Sequence, residues 1–228
     1  MQDRFVGDIG DFGKYGLLRA LTGTYPAAEP RLSLGVVWYR NADEVGSPSD
    51  GQRLSYLDKP AQYEDCDPIL FASLRGIVND GRRSLSAIEE SGILGENARF
   101  SDRPMAHHED VVFLDPDKGL AFSAQQNSPE HAHISDVASL ADISQTVVIY
   151  QSFGRQKGDT HGRQMRRWTA ELQLLLPDRE TPRVLRFRPW HPRAFIVMPS
   201  RVHAQVIRRR IDALLASPWG RHYPEPPT

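Results

Sequence analysis

The chain has 228 residues, of which 39% are apolar and 25% are charged, a composition typical of a soluble globular protein. No apolar run reaches the roughly eighteen residues of a membrane-spanning helix, and the first residues lack the pattern of a signal peptide. Cys66 is the only cysteine, which excludes an intrachain disulfide and a cysteine-based zinc site. We therefore expect a cytoplasmic protein without membrane contact.

The net charge of −1 conceals an asymmetry between two parts of the chain. Residues 1–150 hold 13 basic and 23 acidic side chains, a net charge of −10. Residues 151–228 hold 15 basic and 6 acidic side chains, a net charge of +9. Such a split indicates contact between the basic part and a polyanion, unless the two parts simply neutralise each other where they pack.

The first predicted element lies in the stretch VGDIGDFGKYGLLRAL, residues 6–21. Its apolar positions follow the spacing of one helical face and predict a helix over 10–21. Glycines recur at every third position, where they allow close approach of the backbone to a sheet or a ligand: Gly7, Gly10, Gly13 and Gly16. The apolar run 31–39 predicts a buried strand, and the polar segment 41–52 predicts a loop.

The remaining pattern alternates between helices and buried strands. Helices are predicted over 65–81 with Asp67 as N-cap, over 84–94, over 135–143 with Ser135 as N-cap, over 160–176, and over 200–216 with Ser200 as N-cap. Buried strands are predicted over 110–115 and 146–153. The segments 183–188 and 193–198 flank Pro-Trp-His-Pro and predict an antiparallel pair.

This alternation predicts a single α/β domain over 1–228, built on a doubly wound, Rossmann-like and mostly parallel sheet with a terminal antiparallel strand pair. Residues 1–30 form its N-terminal Gly/Asp motif and helix, and residues 220–228 are expected to be a loose tail.

The strongest local signal for chemistry is VVFLDPDKG, residues 111–119. An acid followed by proline at the carboxyl end of a buried strand lies where α/β folds bind ligands. Pro116 restricts Asp115 to an extended backbone, which allows its carboxylate and carbonyl to point into the crevice, and Asp117 is expected nearby. The alternative is a plain turn, because Asp-Pro-Asp-x-Gly is also good turn chemistry.

Two further groups of polar residues follow predicted strands. Asp43 and Glu44 lie in the loop after the first strand, where an acid can accept ribose hydroxyls, although no G-x-G turn precedes them. The segment 150–159 and the helix after it carry basic side chains suited to phosphates, with Trp168 beside them as a surface for base stacking: Arg155, Lys157, Arg163, Arg166 and Arg167. A solvated basic face with Trp168 in the core is the alternative. His131 and His133 lie in a predicted loop, and no metal site is expected from them.

The order of these motifs resembles the Rossmann-type S-adenosylmethionine-dependent methyltransferases of the D-P-P-Y class, in particular the single-domain ribosomal RNA adenine-N6 methyltransferases. The segment from Gly7 to Tyr15 is similar to the Gly-Asn-x-x-Asp-Val-Leu-Lys-His segment of that family, and Leu-Asp-Pro-Asp-Lys-Gly stands where the family has D-P-P-Y. The same segments, with Gly-Val-Val-Trp-Tyr, also resemble a bacterial family sharing the GDIGDFGKYGLLR and DPDxG motifs, and this second likeness implies no activity.

The first resemblance implies that Lys14 approaches the active site and that Asp115, with Pro116, orients the target amine of a nucleic acid or nucleotide. It implies S-adenosylmethionine as cofactor, with Asp43 or Glu44 near it and with Asp8 and Asp11 as further cofactor-binding residues. The chain departs from the family in two places. It has no glycine-rich turn after the first strand, and Asp117 and Lys118 replace the second proline and the aromatic residue.

Two other functions are consistent with the same residues. One is a Mg²⁺-dependent nuclease or phosphodiesterase, in which carboxylates gather around the metal and the arginines hold phosphate: Asp8, Asp11, Glu44, Asp115 and Asp117. The other is a non-catalytic nucleic-acid-binding protein on the same fold.

Overall fold

The computed structural model describes residues 2–40, 51–103, 107–122, 128–140, 145–154 and 157–225. Within these ranges the helices are α1 (Ile9–Thr22), α2 (Pro60–Tyr63), α3 (Pro68–Asn79), α4 (Leu85–Ser91), α5 (Ile134–Leu140), α6 (His161–Leu175) and α7 (Ala204–Ala216). The strands are β1 (Leu34–Val37), β2 (Arg99–Ser101), β3 (Val111–Leu114), β4 (Gly119–Ala121), β5 (His131–His133), β6 (Thr146–Ser152), β7 (Arg183–Phe187) and β8 (Arg193–Met198). No described helix combines the length and the apolar character needed to span a membrane.

In the described part of the chain, six strands form the main sheet in the order β2-β1-β3-β6-β8-β7. Strands β2, β1, β3 and β6 are parallel, whereas β8 runs antiparallel between β6 and β7. Strands β4 and β5 form a separate parallel pair. The predicted mostly parallel sheet and the antiparallel pairing of 183–188 with 193–198 are therefore confirmed.

Hydrophobic side chains cover both faces of the sheet. Because successive residues of a strand point to opposite faces, Val111 and Phe113 of β3 join one cluster and Val112 and Leu114 join another. The first cluster contains residues of α1, α3, α4 and α7, and the second contains residues of α5 and α6. Helix α1 and helix α6 thus lie against opposite faces.

The glycines of α1 let this helix pack closely against its neighbours. A Cβ atom on Gly13 would lie 2.6 Å from the ring of Phe187 in β7, and one on Gly16 would overlap the indole of Trp219. Trp219 belongs to a short 3-10 helix at Pro218–Arg221. The three-residue period of glycines therefore serves the contact between α1, the sheet and the C-terminal segment.

The ends of several elements differ from the prediction. Asp67 caps α3 as predicted, since its Oδ1 accepts the N–H of Leu70 at 3.0 Å. Ser135, however, lies inside α5, which begins one residue earlier. Ser200 accepts the N–H of His203 at 3.0 Å in the turn before α7, so it stabilises that turn and is not the N-cap. His131 and His133 belong to strand β5 and not to a loop.

The segment expected to be a loose tail is packed over its first residues. Tyr223 is only 3% exposed, and its hydroxyl donates to the carbonyl of Gly13 at 2.7 Å. His222 is also buried and stacks on Tyr63 with ring centroids 4.8 Å apart. The C-terminal segment is therefore held against α1 as far as Tyr223, while residues 226–228 lie outside the described ranges.

Candidate functional site at the carboxyl ends of β1 and β3

The candidate site lies where the strand order of the sheet reverses. The chain passes from β1 to β2 on one side of β1 and then to β3 on the other side. In open α/β sheets, ligands bind in the crevice outside the carboxyl ends of the strands at such a point. Trp38 directly follows β1 and Asp115 directly follows β3, so both flank this crevice.

Lys14 of α1 joins two carboxylates in this crevice. Its Nζ lies 2.7 Å from Oδ1 of Asp11 and 2.8 Å from Oδ2 of Asp115. All three side chains are at most 6% exposed. The ammonium also lies 4.9 Å from the ring centroid of Tyr15 and 5.6 Å from that of Trp38. Two acids thus share one cation in an aromatic, water-poor setting.

The burial of this cluster raises the pKa of both carboxyls. Burial disfavours the charged form of Asp11 and of Asp115 and raises each pKa, and the nearby Lys14 offsets this only in part. Burial alone would lower the pKa of Lys14, but the two acids outweigh it and raise that pKa above its usual range. The Lys14 ammonium therefore keeps its charge, and Asp115 is a carboxylate with increased proton affinity.

Asp8 and Arg193 form the rim of the cluster. Asp8 caps α1, since its Oδ1 accepts the N–H groups of Gly10 at 2.6 Å and Asp11 at 3.0 Å. Arg193 is the first residue of β8, and its Nη1 atom lies 3.9 Å from the same Asp8 oxygen. A Cβ atom on Gly10 would overlap the Arg193 guanidinium, so this glycine makes room for the arginine. Sequence reasoning missed Arg193, because only the antiparallel course of β8 brings it to α1.

Hydroxyl groups from β6 extend the rim. The register pairs Leu114 with Ile149, and one residue further it places Asp115 beside Tyr150. Ser152 pairs with Arg193 across β6 and β8, and its Oγ donates to the Tyr150 hydroxyl at 3.3 Å. Tyr150 and Ser152 are both partly exposed. The sequence analysis did not single out either hydroxyl.

The residues after Asp115 form a supported turn into β4. The Asp115 N–H donates to the carbonyl of Val37 at 2.9 Å, which continues the pairing of β1 with β3 by one step. Pro116 is buried and Asp117 is half-buried. Lys118 pairs with Glu130, on the way to β5. The proline-restricted backbone therefore fixes the position of Asp115.

The turn after β1 carries bulky side chains where the methyltransferase resemblance implies glycine. Trp38 donates through Nε1 to Glu89 at 2.8 Å, and the Tyr39 hydroxyl donates to Asp136 at 2.8 Å. Tyr39 itself has a φ of 47°, a left-handed conformation that favours glycine. The described residues here do not form a glycine-lined cradle for S-adenosylmethionine. Asp43 and Glu44, predicted near the cofactor, lie outside the described residues.

The carboxylates that the Mg²⁺ hypothesis needs are arranged around an ammonium. Lys14 occupies the position between Asp11 and Asp115, and Asp8 is engaged as the cap of α1. Over the ranges that the structure describes, no three His, Cys, Asp or Glu side chains form a group that could hold a metal ion. Asp11 and Asp115 thus share a cation that the chain itself supplies.

The predicted phosphate-binding residues lie on or before α6, on the face of the sheet opposite α1. Arg163 donates to the carbonyl of Gly158 at 2.9 Å, and Arg167 donates to both oxygens of Asp159 at 3.3 and 3.0 Å. Lys157 and Arg166 are exposed, and Arg155 lies outside the described residues. Trp168 is only 5% exposed and packs on Phe153, so the idea that it stacks a base is wrong.

Within the described ranges, few of the basic side chains of residues 151–228 pair with acids of residues 1–150. Arg193 approaches Asp8, and Arg221 pairs with Asp65. Others pair within their own half: Arg183 with Asp212 and Arg208 with Glu180.

The structure brings Asp11, Lys14 and Asp115 into one cluster with Asp8 at its rim, and it places the basic helix on the other face. Comparisons with protein-family models, with curated proteins and with solved structures found no match to the chain.

Proposed function

We propose that the chain is a methyltransferase-like enzyme that acts on an amine of a nucleic acid or nucleotide, with its site around Lys14 and Asp115. The observation that carries the proposal is the buried ion pair between these two residues at the point where the strand order reverses. A charged pair is costly to bury in a plain core, and perturbed carboxyls concentrate at functional sites.

The arrangement of the strands supports the finer description of the fold. Strand β8 runs antiparallel between β6 and β7, and the other neighbouring strands of the main sheet are parallel. This placement resembles the terminal strands of the Rossmann-type methyltransferases. With helices packed on both faces, it supports a doubly wound, Rossmann-like fold as part of the proposal.

In this proposal the chain's own residues act on the acceptor amine. The Asp115 carboxylate and the Asp115 backbone carbonyl, which Pro116 constrains, accept hydrogen bonds from an exocyclic NH₂ group, and these bonds orient the nitrogen lone pair toward the methyl group that is transferred. Lys14 fixes the Asp115 carboxylate by holding Oδ2 at 2.8 Å, so Lys14 is a positioning residue. The rate gain comes from orientation of the nucleophile and not from proton abstraction by a strong base.

S-adenosylmethionine is the methyl donor that the proposal requires. Because Trp38 and Tyr39 fill the turn after β1, we assign no step to the cofactor. The same observation favours a second candidate, a non-catalytic nucleic-acid-binding protein built on this fold.

Isothermal titration calorimetry separates these functions. We expect the wild-type protein to bind S-adenosylmethionine at one site, and binding should persist in Asp115→Asn because that residue faces the acceptor amine. Asp178→Asn is the matched control, since that carboxyl is 98% exposed. No heat with S-adenosylmethionine, together with salt-sensitive RNA binding, would favour the non-catalytic candidate. Mg²⁺-dependent cleavage of RNA or DNA that Asp115→Ala abolishes would favour the nuclease.

A further inference from the structure

Trp190 is an exposed indole held in an unusual backbone conformation. It lies in the Pro-Trp-His-Pro connection between β7 and β8, is 55% exposed and has a φ of 65°. The left-handed region is unfavourable for a bulky residue, and such conformations cluster where function maintains them. The other three tryptophans are buried: Trp38, Trp168 and Trp219. Trp190 therefore differs from the others in having a large aromatic surface open to solvent.

Arg53 lies over the indole of Trp190 and ties it to the start of α1. The Arg53 Cζ atom is 4.7 Å from the ring centroid, a cation–π contact. The Arg53 carbonyl accepts the N–H of Ile9 at 3.1 Å, at the first residue of α1. Further along the loop, Arg193 donates through Nε to the carbonyl of His191 at 3.3 Å and approaches Asp8. The indole is thus held at the rim of the Lys14–Asp115 cluster.

Besides two prolines, the loop around Trp190 carries a cationic and a polar side chain. Arg188 and His191 are both exposed. The other large apolar side chains that the structure shows as exposed belong to other segments of the chain: Ile69, Leu174, Leu175 and Val202. A hydrophobic docking face or a membrane anchor would need a contiguous apolar patch. One aromatic ring among arginines is instead the combination that binds single-stranded nucleic acid, by stacking a base and contacting phosphates.

We propose that Trp190 and Arg53 form a base-stacking platform for single-stranded nucleic acid beside the candidate site. The proposal rests on the proposed function in taking nucleic acid as the ligand, and it names single strands as the substrate class. It would give the α1 face a contact with a polyanion, although the basic helix α6 lies on the opposite face. A strand whose base stacks on Trp190 would lie at the rim where Arg193 approaches Asp8.

Tryptophan fluorescence tests the platform without any need for turnover. The probe is a single-stranded oligoadenylate of about twelve nucleotides, titrated at low salt. We expect quenching of the solvent-exposed, red-shifted emission of Trp190 and a measurable Kd. Trp190→Phe should retain most of the affinity but lose that signal, and Trp190→Ala should bind roughly tenfold or more weakly. Leu174→Ala is the matched control, since Leu174 is 81% exposed on α6.

Two results would overturn the platform. One is equal affinity of Trp190→Ala and Leu174→Ala for the oligonucleotide, measured by fluorescence anisotropy. The other is an unchanged Trp190 emission with oligoadenylate together with a blue shift on phosphatidylglycerol vesicles, which would indicate a membrane contact. Quenching by oligoadenylate without heat from S-adenosylmethionine would support the platform and contradict the methyltransferase proposal. Heat from S-adenosylmethionine without quenching by oligoadenylate would support the methyltransferase proposal and contradict the platform.

Discussion

The Nζ atom of Lys14 lies 2.8 Å from Oδ2 of Asp115, although 101 positions separate the two residues in the chain. The contact depends on α1 packing against the same face of the sheet to which Phe113 points. Because Asp11 binds the same ammonium, the cluster contains two carboxyl groups and one cation. This imbalance has consequences for stability that distinguish the roles of the three side chains.

Replacing Lys14 should destabilise the protein far more than replacing Asp115. Lys14→Met leaves two buried carboxylates without their cation, and we expect the free energy of unfolding to fall by about 3–5 kcal/mol. Asp115→Asn leaves Lys14 paired with Asp11, so its cost should be clearly smaller. Urea unfolding at neutral pH measures both, with Asp178→Asn as the control. Equal losses for the two variants, or none for Lys14→Met, would contradict the shared-cation arrangement.

Alkaline pH should destabilise the protein steeply. Burial raises the pKa of Tyr56 and of Tyr223 well above the usual value, and Asp11 and Asp115 raise that of Lys14. Above about pH 10 the unfolded chain loses these protons while the folded protein keeps them. The stability that these groups contribute is therefore complete below pH 10 and is lost as the pH rises further.

Each such group lowers the free energy of unfolding by about 1.4 kcal/mol per pH unit once the unfolded chain has lost its proton. We expect Tyr223→Phe to reduce the slope of unfolding free energy against pH by about that amount between pH 10 and 11. Denaturant unfolding at several alkaline pH values gives the slope. A wild-type protein whose stability is flat in that range would show that these groups titrate normally in the folded state.

Adding a methyl group to Gly13 should be harmful, whereas adding one to Gly76 should not. In Gly13→Ala the new Cβ would lie 2.6 Å from the Phe187 ring, and such overpacking costs about 1–3 kcal/mol. Gly76 lies in α3 with nothing within 4 Å of an added Cβ, so Gly76→Ala should stabilise the helix by up to about 1 kcal/mol. Thermal unfolding compares the two. A stabilised Gly13→Ala variant would contradict the close packing of α1.

The strands show how far the sequence predicts this fold. The long apolar runs that become β1, β3 and β6 are recognisable, because a strand covered on both faces needs apolar residues throughout. Strands β2, β4 and β5 have only three residues each, for example His131–His133, which is too short for a periodic signal. Their pairing follows from tertiary contacts and not from local preference.

The candidate site was predictable only in part for a similar reason. Asp115 is marked by a strand and a following proline, and Lys14 by its place in the glycine-rich segment. Arg193 and Trp190 carry no such mark, because their approach to α1 depends on the antiparallel course of β8. Trp168 was ambiguous, since an aromatic residue on an amphipathic helix belongs to the core or the surface according to which face is covered.

The basic residues of α6 should contribute unequally to polyanion binding. Arg166 is exposed, whereas Arg167 is paired with Asp159. We expect Arg163→Ala and Arg166→Ala to weaken binding of single-stranded RNA and to lower the slope of log K against log salt by about 0.7 each, and Arg167→Ala to change it less. Fluorescence anisotropy at several salt concentrations measures the slopes. Arg201→Ala, at the opposite end of the sheet, is the control. Equal slopes for all the variants would contradict a role of α6 in binding RNA.

Methyl transfer to RNA is the reaction that the proposed function requires. The measurement is incorporation of a labelled methyl group from S-adenosylmethionine into single-stranded RNA by the wild-type protein, by Asp115→Asn and by Asp178→Asn. We expect labelled RNA with the wild type and with Asp178→Asn, and a loss of at least about a hundredfold with Asp115→Asn in a protein that remains folded by circular dichroism. Equal incorporation by Asp115→Asn and Asp178→Asn, or S-adenosylmethionine binding in none of the three, would contradict the proposed function.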